Sequence, residues 1–95
     1  MREITDEKLK KYFSITKKAL DMAKDKFDLA RKDQAADFFD MASRYYSDAQ
    51  HFYSKDDFVN AFAAVNYAHG WLDSGARIGL FKVNDSKLFT VDDEK

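Results

Sequence analysis

The chain has 95 residues, 45% of them apolar and 16% aromatic, with no proline, no cysteine and a net charge of -1. That length makes one domain, the apolar fraction is too high for a disordered chain, and the missing cysteines exclude disulfides, thiolate metal sites and a cysteine nucleophile. No apolar run reaches the roughly 18 residues of a membrane span, and the start Met1-Arg2-Glu3-Ile4-Thr5-Asp6 lacks the apolar stretch of a signal peptide, so the expectation is a soluble cytoplasmic domain.

Residues 1–69 contain neither Gly nor Pro, and the three glycines, Gly70, Gly75 and Gly79, fall close together. A stretch so free of breakers reads as helix, and the apolar spacing agrees. Leu9, Phe13, Thr16, Leu20, Ala23, Phe27 and Ala30 form a first stripe. Ala35, Phe38, Ala42, Tyr45, Ala49 and Phe52 form a second, and Phe58, Phe62, Val65, His69, Leu72, Ala76 and Gly79 a third. Each stripe makes one buried helix face. The register slips between Ala30 and Ala35, where Asp33 suits an N-cap, and Ser54-Lys55-Asp56-Asp57 makes a second break with Asp56 or Asp57 as cap.

The predicted helices are therefore 6–31, 34–54 and 57–80. Short connections make neighbouring helices antiparallel, so the expected fold is all-α: a three-helix up-down-up bundle over residues 1–81. Residues 82–95 form a non-helical tail, packed on the bundle or partly disordered, with a turn at Val83-Asn84-Asp85-Ser86, an extended segment at Leu88-Phe89-Thr90-Val91 and a frayed end at Asp92-Asp93-Glu94-Lys95. The rival is one long helix over 6–54 that buries its stripes by dimerising.

Charge is segregated along the chain. Residues 1–32 hold ten Lys/Arg against six Asp/Glu, residues 33–81 three against seven, and residues 82–95 three against four. A basic first helix can simply complement the acidic second and third. Alternatively Lys8, Lys10, Lys11, Lys17 and Lys18, with no acid between residues 8 and 20, can meet phosphates; Lys10, Lys11, Lys17 and Lys18 are the candidate contacts.

Helix three carries two faces. Phe58, Phe62, Val65, Leu72 and Ala76 make the core face, while Tyr67, Trp71 and Ile78 lie nearly opposite, with Ala61, Ala64, Ala68, Gly75 and Gly79 between them. A second aromatic stripe needs a cover. Three covers are possible: the tail, folding Val83, Leu88 and Phe89 over Trp71 and Ile78; a second copy of the chain; or another protein. Tyr67, Trp71, Ile78, Gly75 and Gly79 are the candidate interface. Glycine inside a helix costs up to about 1 kcal/mol relative to Ala, so Gly75 and Gly79 point to close packing.

Asn66, His69, Asp73 and Arg77 follow at helical spacing and form a candidate polar site, in which a titratable base, its carboxylate and a guanidinium could act together. The simpler account is structural: a partly buried His69 bonded to Asp73 is satisfied where it stands. This pair supplies only two metal ligands, so no metal or cofactor is expected. Arg44 and His51, seven residues apart with Asp48 between, match the loose R-x4-6-H spacing of HEPN-type nucleases; a solvated Arg44–Asp48 pair is the simpler account.

The run Tyr46-x-Asp48-Ala49-x-x-Phe52, then Asp57-Phe58-Val59-x-Ala61-Phe62-Ala63-Ala64-Val65-Asn66-Tyr67-Ala68-His69-Gly70-Trp71-Leu72-Asp73, then Ala76-Arg77-x-Gly79-Leu80-Phe81, resembles the archaeal family called domain of unknown function 357. The resemblance covers residues 45–81 and, loosely, the first helix. It implies a short three-helix bundle with no assigned catalytic residues. It also implies a connection between helices two and three that commonly reads Gly-Asp, where this chain has Asp56-Asp57. The expected function is a non-enzymatic module that associates with itself as a homodimer or docks another protein. The alternative is a nucleotide- or RNA-binding helical domain, HEPN-like in style, using the helix-one lysines with Arg77 or Arg44.

Overall fold

In the computed structural model, which describes residues 3–91, three helices follow one another as α1 (Asp6–Ala23), α2 (Lys32–Ser54) and α3 (Phe58–Arg77), with a single 3-10 turn at Leu29–Arg31 before α2. The fold is an all-α three-helix bundle. The α2–α3 hairpin is its tightest part, and α1 lies along α3 more than along α2.

That asymmetry follows from side-chain size. The buried residues of α2 are Ala35, Ala42 and Ala49, one every seven residues, and they face a strip of Ala61, Ala64, Ala68, Gly75 and Ala76 on α3. Small residues on both sides let the two backbones approach closely, as ridges fit grooves. The large side chains of α2 cannot enter this seam and flank it in two rows. Phe39, Tyr46 and Tyr53 form one row; Phe38, Tyr45 and Phe52 form the other. The first row is covered by α1 and the loop after it: Phe13 meets Tyr46 and Tyr53 edge-on, each with ring centroids 5.6 Å apart, and Phe27 meets Phe39 at the same separation. Leu9, Val65 and Leu72 are wholly buried, each worth about 1.5–3 kcal/mol in burial.

The first helix is shorter than the expected 6–31. It ends at Ala23, and the chain turns through Lys24 and Asp25. The reason is a competing backbone partner. Asp28 N–H donates to Leu80 C=O at 2.8 Å and Lys82 N–H donates to Lys26 C=O at 2.7 Å, around a Phe27–Phe81 bridge. Asp28 also caps the 3-10 turn through Ala30 N–H and pairs with Arg31 at 3.0 Å. These bonds replace the ones a continued helix would make. Asp33 is consequently not a cap: α2 begins two residues earlier than expected, at Lys32 after Arg31, without a side-chain cap. Asp57 caps α3 as expected, accepting from Asn60 N–H.

Two of the helices end in the same way. In a Schellman ending, the residue after the cap takes a left-handed conformation, while two N–H groups reach back to the last turn. At α3 this residue is Gly79, φ 80, with Leu80 N–H on Gly75 C=O at 2.8 Å and Gly79 N–H on Ala76 C=O at 3.1 Å. At α2 it is Asp56, φ 63, with Asp57 N–H on Phe52 C=O at 2.9 Å and Asp56 N–H on Tyr53 C=O at 3.0 Å. Glycine suits this conformation best.

The tail packs back on the bundle. Phe81 and Phe89 are buried in the core with Leu20, Leu72 and Leu80. Leu88–Val91 is a turn followed by bends, not the expected extended segment, because Leu88 and Phe89 N–H both return to Asp85 C=O. The end expected to fray, Asp92–Lys95, lies outside the described residues.

The Tyr53 hydroxyl donates to the Asp6 carboxylate, tying the start of α1 to the end of α2. This bond and the neighbouring Lys10 hold the Asp6 carboxyl below its ordinary 3.8, and the same bond raises the Tyr53 phenol above 10.0. The lowered carboxyl stabilises the fold above 3.8, and that contribution disappears as pH falls through its folded value. The raised phenol stabilises below 10.0 and loses its contribution as pH rises through its folded value. Tyr53→Phe should move the Asp6 titration, followed by carboxyl NMR, back up toward 3.8. A second pair of variants tests the packing. A Cβ on Gly75 would lie 2.3 Å from Phe81 Cε2, so Gly75→Ala should destabilise by about 1–3 kcal/mol. Asp56→Gly should stabilise by up to about 1 kcal/mol, because it relieves a left-handed non-glycine. Urea unfolding reads both.

Candidate functional site

The third helix presents a polar edge toward α1 and an aromatic edge away from it. On the polar edge, Thr16 is the one polar member of the α1 stripe and His69 that of the α3 stripe. The two meet: Thr16 Oγ1 lies 3.0 Å from His69 Nδ1, with Thr16 only 2% exposed. His69 Nε2 lies 2.7 Å from Leu88 C=O. A carbonyl only accepts, so Nε2–H donates to Leu88, while Nδ1 and the Thr16 hydroxyl share the second hydrogen bond. Both ring nitrogens are engaged within the chain.

Asp73 is engaged likewise. Its carboxylate accepts from Thr90 N–H at 2.9 Å and from the Thr90 hydroxyl at 3.1 Å, and stands 3.8 Å from His69 Nε2. His69 and Asp73 therefore clasp the tail. Asn66 lines the shallow recess of about 260 Å3 beside them, with Tyr12, Ile15 and Thr16. Arg77 is exposed at the last turn of α3, and no ion pair joins it to Asp73. The structure thus brings together two of the four polar candidates and adds Thr16, Leu88 and Thr90. Thr16 was visible as the odd member of an apolar stripe; the tail partners had no sequence signal.

The other candidates fall into three groups. Gly75 and Gly79 already have partners inside the chain: Gly75 lies under the Phe81 ring and Gly79 ends the helix. The close neighbour of Gly75 is the chain's own Phe81, and the nearest side-chain atoms at Gly79 belong to Arg31 and Lys82. Among the lysines, Lys10 pairs with Asp6 at 3.1 Å and Lys17 with Asp21 at 2.8 Å, while Lys11 and Lys18 are exposed. Arg44 pairs with Asp40 at 2.9 Å and not with Asp48, which leaves the Arg44–His51 spacing without a shared site. Among the described residues no three His, Asp or Glu side chains gather closely enough to hold a metal ion.

The remaining candidates, Tyr67, Trp71 and Ile78, lie on the edge away from α1. Tyr67 and Ile78 are each 53% exposed. The tail does not cover this edge, contrary to one of the three expected covers, because His69 and Asp73 hold it on the other side of α3. Trp71 packs edge-on against Phe38, ring centroids 5.0 Å apart, and Tyr67 against Tyr45 at 4.4 Å. The α2 row of Phe38, Tyr45 and Phe52 thus joins the α3 residues in one aromatic face. Tyr67 divides it into two hollows. One, about 390 Å3, is lined by Phe38, Tyr67, Gly70, Trp71 and Ser74; the other, about 490 Å3, by residues that include Tyr45, Phe52, Ala63 and Tyr67. The Trp71 indole N–H is shielded from solvent and has no acceptor among the described residues.

Fold and surface together define a small helical bundle with a histidine bonded to α1 and the tail and a partly exposed aromatic face on the other side of α3. Its sequence places it more narrowly. Residues 11–81 match the family described as "Protein of unknown function (DUF357)", and the chain belongs to that family. No curated protein and no solved structure matches the chain. The matched stretch includes most of α1, so it reaches further toward the start than residues 45–81. The clasp residues Leu88 and Thr90 lie beyond it.

The clasp makes a specific demand on stability. His69→Ala leaves the buried Thr16 hydroxyl and the Leu88 carbonyl without partners, at about 1–3 kcal/mol for each. Urea unfolding should show a loss of at least about 2 kcal/mol, and hydrogen exchange should show the Thr90 amide released. A variant as stable as the parent would remove the clasp.

Proposed function

We propose that this chain is a non-enzymatic interaction module whose contact surface is the aromatic face of the α2–α3 hairpin. One observation carries the reading. The hairpin has two aromatic rows flanking one alanine seam; α1 packs on the first, whereas the second, with Phe38, Tyr45, Phe52 and Trp71 half-buried and Tyr67 and Ile78 each 53% exposed, has no further helix packed over it among the described residues. Exposed apolar surface of this kind marks an interaction site. The engagement of His69 and Asp73 in the clasp supports the non-enzymatic part. The nucleic-acid alternative draws on the α1 lysines, and we place it second because Lys10 and Lys17 are neutralised by Asp6 and Asp21. No helix among the described residues is long and apolar enough to cross a membrane, and we propose a cytoplasmic setting.

Site-specific photo-crosslinking in the source cells tests this. A photoreactive side chain at position 67 should yield protein adducts, while the same group at the α1 position 11 should not. Adducts equal in yield at the two positions, or none at 67, would overturn the reading. Adduct mass separates a second copy from a different protein.

A further inference from the structure

The occupant of the aromatic face can be specified further, on the assumption that the face is a contact surface at all. The chain already contains one solution to the same problem. The row of Phe39, Tyr46 and Tyr53 is covered by α1, an amphipathic helix whose Lys10 and Lys17 pair with its own Asp6 and Asp21. The hairpin it covers belongs to a stretch with three Lys/Arg against seven Asp/Glu. Like the first row, the uncovered row belongs to that acidic hairpin and lies beside the same alanine seam.

Its charge points the same way. Asp37 and Asp48 stand along its α2 border, and among the described residues neither has an ion pair or hydrogen bond; Asp48 also lines the hollow between Tyr45 and Phe52. Arg44 on the same border is neutralised by Asp40. A second copy docking by this face would bring the same acids and meet them with like charge. A partner with lysines or arginines flanking an apolar stripe would meet them with opposite charge. Shape agrees. Gly70 lies in the middle of α3, where glycine costs about 1 kcal/mol relative to Ala, yet among the described residues, its own helical backbone aside, nothing comes within 4 Å of where its Cβ would be. The hollow beside it has room for a side chain of an incoming helix.

We infer that the Phe38–Tyr45–Tyr67–Trp71 face is a groove for a basic amphipathic helix of another protein, which lies on the hairpin as α1 does on the opposite flank. Helix-in-groove recognition of this kind uses apolar anchors one or two turns apart.

The test uses the full chain and two synthetic 18-residue amphipathic peptides with one leucine stripe each, one filled with lysine and the other with glutamate. Amide NMR reports the site, with the Gly70 amide and the Trp71 indole as markers. The lysine peptide should shift both markers and saturate, the glutamate peptide should bind at least tenfold more weakly, and Asp37→Asn with Asp48→Asn should weaken the lysine peptide roughly fivefold. Equal affinity for the two peptides, shifts confined to α1, or no effect of the double variant would overturn the inference. A self-adduct from position 67 would also overturn it while leaving the interaction reading intact; no adduct at 67 would sink both.

Discussion

The spacing of Ala35, Ala42 and Ala49 sets the geometry of this molecule. One small residue every two turns of α2 lets α3 come close along its whole length, and the backbones then leave no room for large side chains between them. The aromatic residues of α2 must go to the sides. Helical geometry sends Phe39, Tyr46 and Tyr53 one way and Phe38, Tyr45 and Phe52 the other. The docking of α1 on one flank and the open face on the other are both consequences of this division.

One flank is completed by α1, and its completion depends on a polar contact as well as on rings. Thr16 and His69 occupy positions on their helices where an apolar residue would ordinarily sit, and each would be costly there alone. Paired, they satisfy one another, and the second nitrogen of His69 reaches Leu88. The tail is thereby fixed on the α1 side of α3, with Asp73 holding Thr90. This placement is why the tail does not shield Trp71. His69 and Asp73 thus fix which side of α3 the tail lies on.

The late glycines serve two distinct demands that spacing alone does not separate. Gly75 makes room for the Phe81 ring, and Gly79 supplies the left-handed residue that ends α3. Asp56 meets the same backbone demand at the end of α2 without being glycine. The positive φ of Asp56 makes this the position in the α2–α3 connection where glycine would fit best.

By itself the sequence determined the number of helices, their apolar stripes, a cap at Asp56 or Asp57 and the segregation of charge, because these depend on neighbours a few residues away. It also marked the back of α3, through Tyr67, Trp71 and Ile78, as a surface in need of a cover. Only the tertiary structure decided where α1 stops, since Phe27 and Asp28 follow their backbone pairing with residues 80–82 and not their own helical spacing. Likewise, only the tertiary structure decided that His69 and Asp73 hold the tail, and that Phe38, Tyr45 and Phe52 join the α3 aromatics in one face. Each of these depends on which residues distant in the chain become neighbours, and the close approach of α2 and α3 across three alanines makes that choice.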